Sequence, residues 1–275
     1  MPVRATRPFI SLLSRLKALL SQCFEASRSL SKKHNNTALP DRLQFLAAGK
    51  SGIVYGIDTK RVLKEFHDDN GGEIERRVYQ RLGSHPNIAK VLDIQTDGSI
   101  ILERGTPLRT ICQTSCTSEI PIRTKFRWLK DAAEGYRYLH ACNVIHGDIG
   151  CNNLILTEGD HVKLIDFEGC SIDGGPAGSC YEWFSYCPSE PRVSQCTDIF
   201  AFGCAIYEIL TGRPPYYELK ASDDPYKQVE ELYVNQRFPD VTNLPFGELI
   251  RSCWCGDVSS MSEVIVQLEA FRTER

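Results

Sequence analysis

The sequence predicts an α+β fold in which short strands dominate up to about residue 103 and helices dominate the remainder. The apolar runs 154–156 and 162–165 flank a Glu-Gly-Asp turn, which is typical of a β-hairpin. Apolar residues recur at helical spacing within 126–140 and indicate a helix that packs on the core. The chain has 275 residues, 42% hydrophobic and 24% charged, so it can form one large globular domain or two small ones.

Charge and cysteine usage exclude several classes of protein. The net charge of −3 gives no indication that the protein binds nucleic acid. The twelve cysteines include no CxxC pair and no secretory signal precedes them, so we expect no zinc site. We expect instead a reduced, intracellular and cytoplasmic protein. The longest apolar run, at 199–210, contains Glu208 and is too short to span a bilayer.

Residues 1–40 differ in composition from the rest of the chain, with seven Lys or Arg residues and one acidic residue. Apolar residues at i, i+3, i+4 and i+7 spacing predict an amphipathic helix within 8–24. Three interpretations remain open: a helix that docks on its own domain or stays loosely ordered, a mitochondrial presequence, or a helix that contacts a membrane or organelle surface. A polar linker follows, and the predicted folded domain comprises residues 41–271.

The segment 42–58 contains Gly49-Lys50-Ser51, but it is not a P-loop, because the position of the required upstream glycine holds Gln44. The pattern favours a glycine-containing hairpin, then a strand that carries Lys64. Further predicted elements are a helix at 73–82, a strand at 99–102, and helices at 126–140, 197–212, 225–234, 246–253 and 261–271.

Polar side chains that could bind a metal or act as a base surround the hairpin at 154–165. His146-Gly147-Asp148 precedes it, Asn153 lies five residues after Asp148, and Asp166 ends its second strand. The hairpin therefore places one free carboxylate and two oxygen ligands in a single cleft. Carboxylate and amide oxygens of this kind suit Mg²⁺ that is held against phosphates.

This arrangement resembles the protein-kinase superfamily. The family's catalytic loop, H-R-D-L-x-x-x-N, corresponds to 146–153, and its metal motif, D-F-G, corresponds to 166–169. Similar matches extend over about 41–271. Three positions depart from the family's motifs, namely Gly147, Gly150 and Glu168. The H-G-D and I-D-F-E sequences are also similar to aminoglycoside and choline kinases, and the combination looks most like an atypical group of small fungal protein kinases.

The resemblance implies the two-lobe kinase fold, with a small β-rich N-lobe at about 41–103 and a larger helical C-lobe at about 107–271. It implies ATP and Mg²⁺ as cofactors, and transfer of the γ-phosphoryl group to a protein hydroxyl of the serine/threonine type. The implied catalytic residues are Asp148 as the base, Lys64, Glu75 and Asn153. The implied metal ligands are Asn153 and Asp166. The implied nucleotide-binding residues are Ala47, Gly49, Gly52, Val54, Lys64, Leu102, Glu103, Gly105 and Ile155.

The departures from the family's motifs keep other functions open. Gly150 replaces a lysine that normally faces the transferred phosphoryl group, and Glu168 adds an acid beside the metal site. A pseudokinase that binds nucleotide or acts as a scaffold is therefore one alternative, and a small-molecule phosphotransferase is another. Gly147 offers no cation to a phosphorylated loop residue, so we predict that activity does not depend on phosphorylation of the loop 170–190. That loop is expected to be either docked by packing or loose.

Overall fold

The structure is a computed structural model that describes residues 43–68, 72–114, 117–178 and 181–273. All of these residues belong to one compact unit, Arg42–Arg275. The helix expected within 8–24 and the proposed boundary between residues 40 and 41 lie outside the described residues.

An antiparallel five-stranded sheet forms the first part of this unit, with the strand order β1-β2-β3-β5-β4. The strands, and the helix that follows β3, are β1 (Gln44–Ala48), β2 (Gly52–Gly56), β3 (Arg61–Phe66), α1 (Glu73–Leu82), β4 (Val91–Ile94) and β5 (Ile100–Glu103). Val78 and Leu82 of α1 join Val62, Ile100 and Leu102 of the sheet in the apolar core. The helix therefore covers one face of the sheet and carries Glu75 inward with it.

Helices form most of the second part: α2 (Leu108–Thr114), α3 (Ile122–Ala141), α4 (Gln195–Thr211), α5 (Pro225–Val234), α6 (Gly247–Cys255) and α7 (Met261–Thr273), with 3₁₀ turns at Thr117–Glu119 and Tyr217–Ala221. Two small antiparallel sheets accompany them: β6 (Thr106–Pro107), β8 (Leu154–Leu156) and β9 (Val162–Leu164) form one, and β7 (Val144–Ile145) and β10 (Ser171–Ile172) form the other. The predicted α+β fold, with a sheet-rich N-lobe and a helical C-lobe, is confirmed.

Helix α4 is apolar along most of its length and is buried on nearly every side. A capping box begins it: the Ser194 hydroxyl accepts a hydrogen bond from the Thr197 amide, and the Thr197 hydroxyl accepts one from the Ser194 amide (2.8 Å). The helix ends at Gly212, whose φ of 83° lies in the left-handed region. Asp198 and Glu208 are buried with the helix, and a buried carboxylate requires hydrogen-bonding or charged partners.

Backbone hydrogen bonds around Leu164 join the hairpin β8–β9 to the first part of the unit. The Leu164 amide donates to the Asn87 carbonyl (2.9 Å), and the Ala89 amide donates to the Leu164 carbonyl (3.0 Å). Gly135 of α3 lies against this junction, where a Cβ atom would come within 2.6 Å of the Leu164 side chain. The strand that leads to Asp166 is thereby fixed relative to both parts of the fold.

Element bounds agree with the sequence prediction to within a few residues. Helices α1 and α5 begin and end as predicted, whereas α3 begins at Ile122 rather than at residue 126. Helix α2 was not predicted, because seven residues are too few to show a periodic pattern. In the part of the chain that the structure describes, none of the helices combines the length and the apolar character needed to cross a membrane.

Candidate active site

The buried carboxylate of Asp198 holds the loop that precedes β8. It accepts hydrogen bonds from the His146 amide (2.9 Å) and from the Gly147 amide (3.0 Å). Burial opposes ionisation of Asp198, but hydrogen bonds from His140 and other donors outweigh burial and lower the pKa of Asp198. Gly147 has a φ of 73°, a conformation that glycine adopts without strain. Asp198 of α4 therefore anchors the start of this loop.

Asp148 and Asn153 contact each other within this loop. The Asn153 amide nitrogen donates to the Asp148 backbone carbonyl (2.8 Å) and to the Asp148 carboxylate (3.1 Å). Because its nitrogen is committed, Asn153 has its amide oxygen left to serve as a ligand. Burial, followed by the negative charge of Glu182, raises the pKa of Asp148 to about 7. A carboxylate with a pKa near the working pH is suited to act as a general base.

Lys64 on β3 is the centre of a cluster of carboxylates. Its ammonium group lies 2.6 Å from the Glu75 carboxylate, 2.6 Å from the Asp166 carboxylate and 3.7 Å from the Glu168 carboxylate. Burial opposes charge on Lys64, but Glu75 and Asp166 outweigh burial and raise its pKa. Lys64, Glu75 and Asp166 come from three separate elements, and the fold brings all three together.

The three carboxylates of this cluster differ in how readily they ionise. Burial opposes ionisation of Asp166, but the adjacent Lys64 outweighs burial and lowers the pKa of Asp166. Burial raises the pKa of Glu75 and also that of Glu168. Asp166 is therefore the carboxylate best held in the charged form that a metal ligand requires.

The backbone of Asp166 adopts an uncommon conformation, with a φ of 67°. The amide of the preceding residue donates to the Asn153 carbonyl (3.1 Å), which draws the two candidate metal ligands together. The buried Phe167 packs edge-on against Tyr79 of α1 and His146, with ring centroids 5.0 Å and 5.6 Å away. These contacts hold the left-handed turn in place, and non-glycine residues in such turns cluster at functional sites.

The predicted phosphate loop is the tight turn between β1 and β2. Ala47 and Val54 pair across the hairpin, and the Gly49 amide donates to the Gly52 carbonyl (2.9 Å). A Cβ atom on Gly52 would lie 2.1 Å from the carbonyl oxygen of Glu65 on β3, so strand packing requires a glycine there. A Cβ atom on Gly49 would meet nothing closer than 4.0 Å. Space for a ligand therefore lies at Gly49, whereas Gly52 is explained by the sheet.

The residues predicted to contact adenine lie where the two parts of the fold meet. Leu102 is buried on β5, and the Glu103 carboxylate accepts hydrogen bonds from the Lys163 ammonium (2.7 and 2.9 Å). A Cβ atom on Gly105 would lie 2.9 Å from the Cβ atom of Ile155. The structure thus brings Gly105 against Ile155, and it commits the Glu103 side chain to Lys163.

The carboxylate cluster has oxygen atoms available for a cation. Among the described residues, Oε1 of Glu75 and Oε2 of Glu168 are buried without a hydrogen-bond partner. Ligand oxygens of Glu75, Asp166 and Glu168 lie within 4.8 Å of one another, and the ammonium group of Lys64 faces all three. One cation against three carboxylates leaves an excess of negative charge. Mg²⁺ prefers hard oxygen donors of this kind, so these residues fit it.

A second charged cluster, which sequence reasoning missed, lies beside Asp148. Arg109 of α2 donates to both carboxylate oxygens of Glu182 (2.7 and 2.7 Å) and to both of Glu208 on α4 (2.6 and 2.9 Å). A Cβ atom on Gly150 would lie 3.2 Å from the Glu182 carboxylate. The paired residues are 73 and 99 positions apart, and no motif contains Arg109. The available signal was Glu208, an acid in an apolar helix that requires a buried cation.

Comparisons with known proteins agree with this geometry. A family model described as protein tyrosine and serine/threonine kinase matches residues 62–265. A probable serine/threonine-protein kinase of Dictyostelium discoideum is 28% identical over 231 residues, which cover 74% of this chain and 16% of the relative. The probable serine/threonine-protein kinase SIS8 of Arabidopsis thaliana is 27% identical over 256 residues (82% and 24%). The tyrosine-protein kinase receptor svh-2 of Caenorhabditis elegans is 29% identical over 204 residues (64% and 18%). The matched region thus spans at most 24% of these relatives' length.

Proposed function

The chain belongs to the protein tyrosine and serine/threonine kinase family, and from this premise we propose that it transfers the γ-phosphoryl group of ATP to a serine or threonine hydroxyl of a protein. One observation carries the proposal, the convergence of four polar groups from three elements. The Lys64 ammonium lies 2.6 Å from the Asp166 carboxylate, and the Asn153 amide lies 3.1 Å from the Asp148 carboxylate. The names of the Dictyostelium and Arabidopsis relatives support the serine/threonine type.

On the nucleotide side, Lys64 binds the phosphates of ATP and Glu75 keeps its ammonium group in place. The raised pKa of Lys64 keeps it charged at neutral pH. The open turn at Gly49 lets backbone amides approach the phosphates without a Cβ atom in the way. Asp166 and Asn153 would hold Mg²⁺, which supplies neutralisation of the charge on the transferring phosphoryl group when it is bound.

On the acceptor side, Asp148 accepts the proton of the attacking hydroxyl. A positioned general base contributes about 10²–10⁴-fold in rate. The pKa of about 7 supports this role, because the carboxylate is then basic enough to take a proton and about half of it is ionised in neutral solution. The hydrogen bond from Asn153 orients the carboxylate toward the cleft that it shares with Lys64 and Asp166.

A nucleotide-binding module without transfer activity is the second candidate function. Two observations favour it: Glu168 places an additional carboxylate 3.7 Å from the Lys64 ammonium, and Gly150 supplies no cation for the transferred group. Negative charge at Glu168 opposes binding of the ATP phosphates. The presence of all four groups that transfer requires favours the enzyme over this alternative.

The deciding experiment compares wild type with Asp148→Asn in the full-length chain. Purified protein is incubated with Mg²⁺ and radiolabelled ATP, transfer to itself and to generic protein substrates is measured, and the modified residues are identified by mass spectrometry. We expect transfer by wild type, a loss of at least about 100-fold in the variant, and equal thermal stabilisation of both by ATP.

Asp160→Asn is the matched control, because it makes the same chemical change at an exposed residue in the turn of the hairpin β8–β9. A variant at Asp148 that transfers as fast as wild type would exclude Asp148 as the base. Stabilisation by ATP without transfer to any acceptor would favour the nucleotide-binding module.

A further inference from the structure

The ion-pair cluster of Arg109, Glu182 and Glu208 holds these three side chains in one arrangement. The Arg109 side chain is 13% exposed and the Glu208 side chain is fully buried, whereas Glu182 is 31% exposed. Four hydrogen bonds from one guanidinium satisfy all four carboxylate oxygens. Burial opposes the charge of Arg109, but the two carboxylates outweigh burial and raise its pKa. Because Glu208 is part of the buried central helix α4, Arg109 ties Glu182 to that helix.

The segment around Glu182 is docked by packing as well as by charge. The Tyr181 hydroxyl donates to the Asp198 carboxylate (2.7 Å), and the Tyr233 hydroxyl donates to the Phe184 carbonyl (2.7 Å). Tyr181 and Phe184 are buried, and the Arg109 guanidinium lies 5.2 Å from the centroid of the Phe184 ring. Side-chain and backbone groups of the chain make all of these contacts, so packing and charge together dock the segment.

The docked segment borders the candidate base. The Glu182 carboxylate would lie 3.2 Å from a Cβ atom on Gly150, two residues after Asp148. A hydroxyl that approaches Asp148 therefore passes beside Glu182. Gly147 supplies no cation that could order this segment through a phosphate, so its order depends on other contacts.

We infer that Arg109 is a positioning residue for the acceptor: through Glu182 it holds the segment 181–186 as one wall of the acceptor site, without phosphorylation of the loop. The inference rests on the proposed function and adds a residue outside the motifs to it. It predicts that loss of the Arg109–Glu182 contact raises the KM for the protein acceptor and leaves the KM for ATP unchanged. Loss of an ion pair with a merely structural role would not raise the KM for the acceptor and leave the KM for ATP unchanged.

The test uses full-length protein made in bacteria, treated with phosphatase and shown by mass to be unmodified. Arg109→Lys keeps the charge but cannot bind two carboxylates bidentately. Glu182→Lys changes a partly exposed side chain and repels Arg109, so at least one variant should fold. Glu190→Lys is the matched control, because Glu190 lies in the same loop and is exposed.

Two measurements are made on each protein. Limited cleavage by chymotrypsin reports access to the aromatic residues of 181–186, and steady-state kinetics report the two KM values. For Arg109→Lys and Glu182→Lys we expect cleavage in this segment and the acceptor KM to rise by about tenfold, the size of an ordinary contact coupling. The Glu190→Lys control should match wild type in both measurements.

Unchanged cleavage in both variants would overturn the inference. So would faster cleavage with an unchanged acceptor KM, or a wild-type rate that collapses on dephosphorylation and returns with one loop phosphate. A wild type that transfers no phosphate would refute the proposed function alone, and the cleavage result would then decide whether Arg109 holds the segment.

Discussion

The nucleotide side and the acceptor side of the candidate site are assembled by different means. On the nucleotide side, Lys64, Glu75 and Asp166 occupy positions that the kinase motifs mark, and they meet directly at 2.6 Å. On the acceptor side, the motif cations are replaced by Gly147 and Gly150. The charge there is organised instead by an arginine on α2 that contacts two glutamates from distant parts of the chain.

Under the proposed role of Arg109, a departure from a motif is compatible with function. Arg109 supplies a buried cation beside the candidate base, although it lies outside the motifs. Its two partners leave it no freedom to reach the phosphates. Both sides therefore depend on tertiary structure, but the residues of the nucleotide side stand at positions that the kinase motifs mark, whereas Arg109 does not.

The largest effect is expected from Asp198→Asn, which should loosen the acceptor side and leave the nucleotide side intact. Asp198 accepts hydrogen bonds from the His146 and Gly147 amides and from the Tyr181 hydroxyl, and an amide nitrogen cannot replace all of these acceptors. We expect the free energy of unfolding, measured in urea, to fall by about 3 kcal/mol. Thermal stabilisation by ATP should persist in the folded variant. A variant as stable as wild type would show that Asp198 does not anchor the loop.

Lys64→Met should have the next largest effect and should act on the nucleotide side. The substitution leaves Glu75 buried beside Asp166 without a cation, and it removes the ammonium group that faces the phosphates. We expect ATP to stabilise the variant much less, with binding weakened by about tenfold or more. Thermal unfolding with and without ATP measures the effect, and Lys60→Met at an exposed position is the control. An unchanged ATP-dependent shift would remove Lys64 from the nucleotide site.

The pH dependence of transfer tests the acceptor side through Asp148. The base acts when it is ionised, and burial together with Glu182 raises the pKa of Asp148 to about 7. The rate should therefore rise with pH through about 7, and one unit below that value only about a tenth of the enzyme should be active. The measurement is kcat/KM for the acceptor at saturating Mg-ATP. In Glu182→Gln the acidic limb should move to lower pH, and a profile that is flat across neutrality would contradict the assignment of the base.

Glu168→Gln should have the smallest effect. It distinguishes a carboxylate that opposes ATP binding from one that helps to hold the metal. The Glu168 carboxylate lies 3.7 Å from the Lys64 ammonium, to which we propose that the phosphates of ATP bind. Removal of one such charge should strengthen ATP binding by about 1 kcal/mol, or about fivefold. Binding is measured by titration, with Glu158→Gln in an exposed turn as the control. Weaker binding in the presence of Mg²⁺ would instead mean that Glu168 helps to hold the metal.

Much of the fold could be predicted because its elements carry their own signals. The buried residues of α1 recur at helical spacing, and the hairpin β8–β9 has apolar strands around a turn, so local sequence suffices for these elements. A match to a motif does not by itself identify a ligand-binding residue: Gly52 matches the glycine-rich loop, but strand packing against Glu65 explains why it is glycine. Helix α2 and the partners of Arg109 could not be predicted, since they depend on which distant segments meet in space.

The central claim is that both sides of the site are assembled in the unmodified chain, and one sample can test it. Full-length protein, dephosphorylated and checked by mass, is divided between thermal unfolding with Mg-ATP and a transfer assay with protein acceptors. The account predicts that ATP stabilises this sample and that the same sample transfers the γ-phosphoryl group. Stabilisation by ATP with no transfer to any acceptor would contradict it, because the nucleotide side would then be complete and the acceptor side would not.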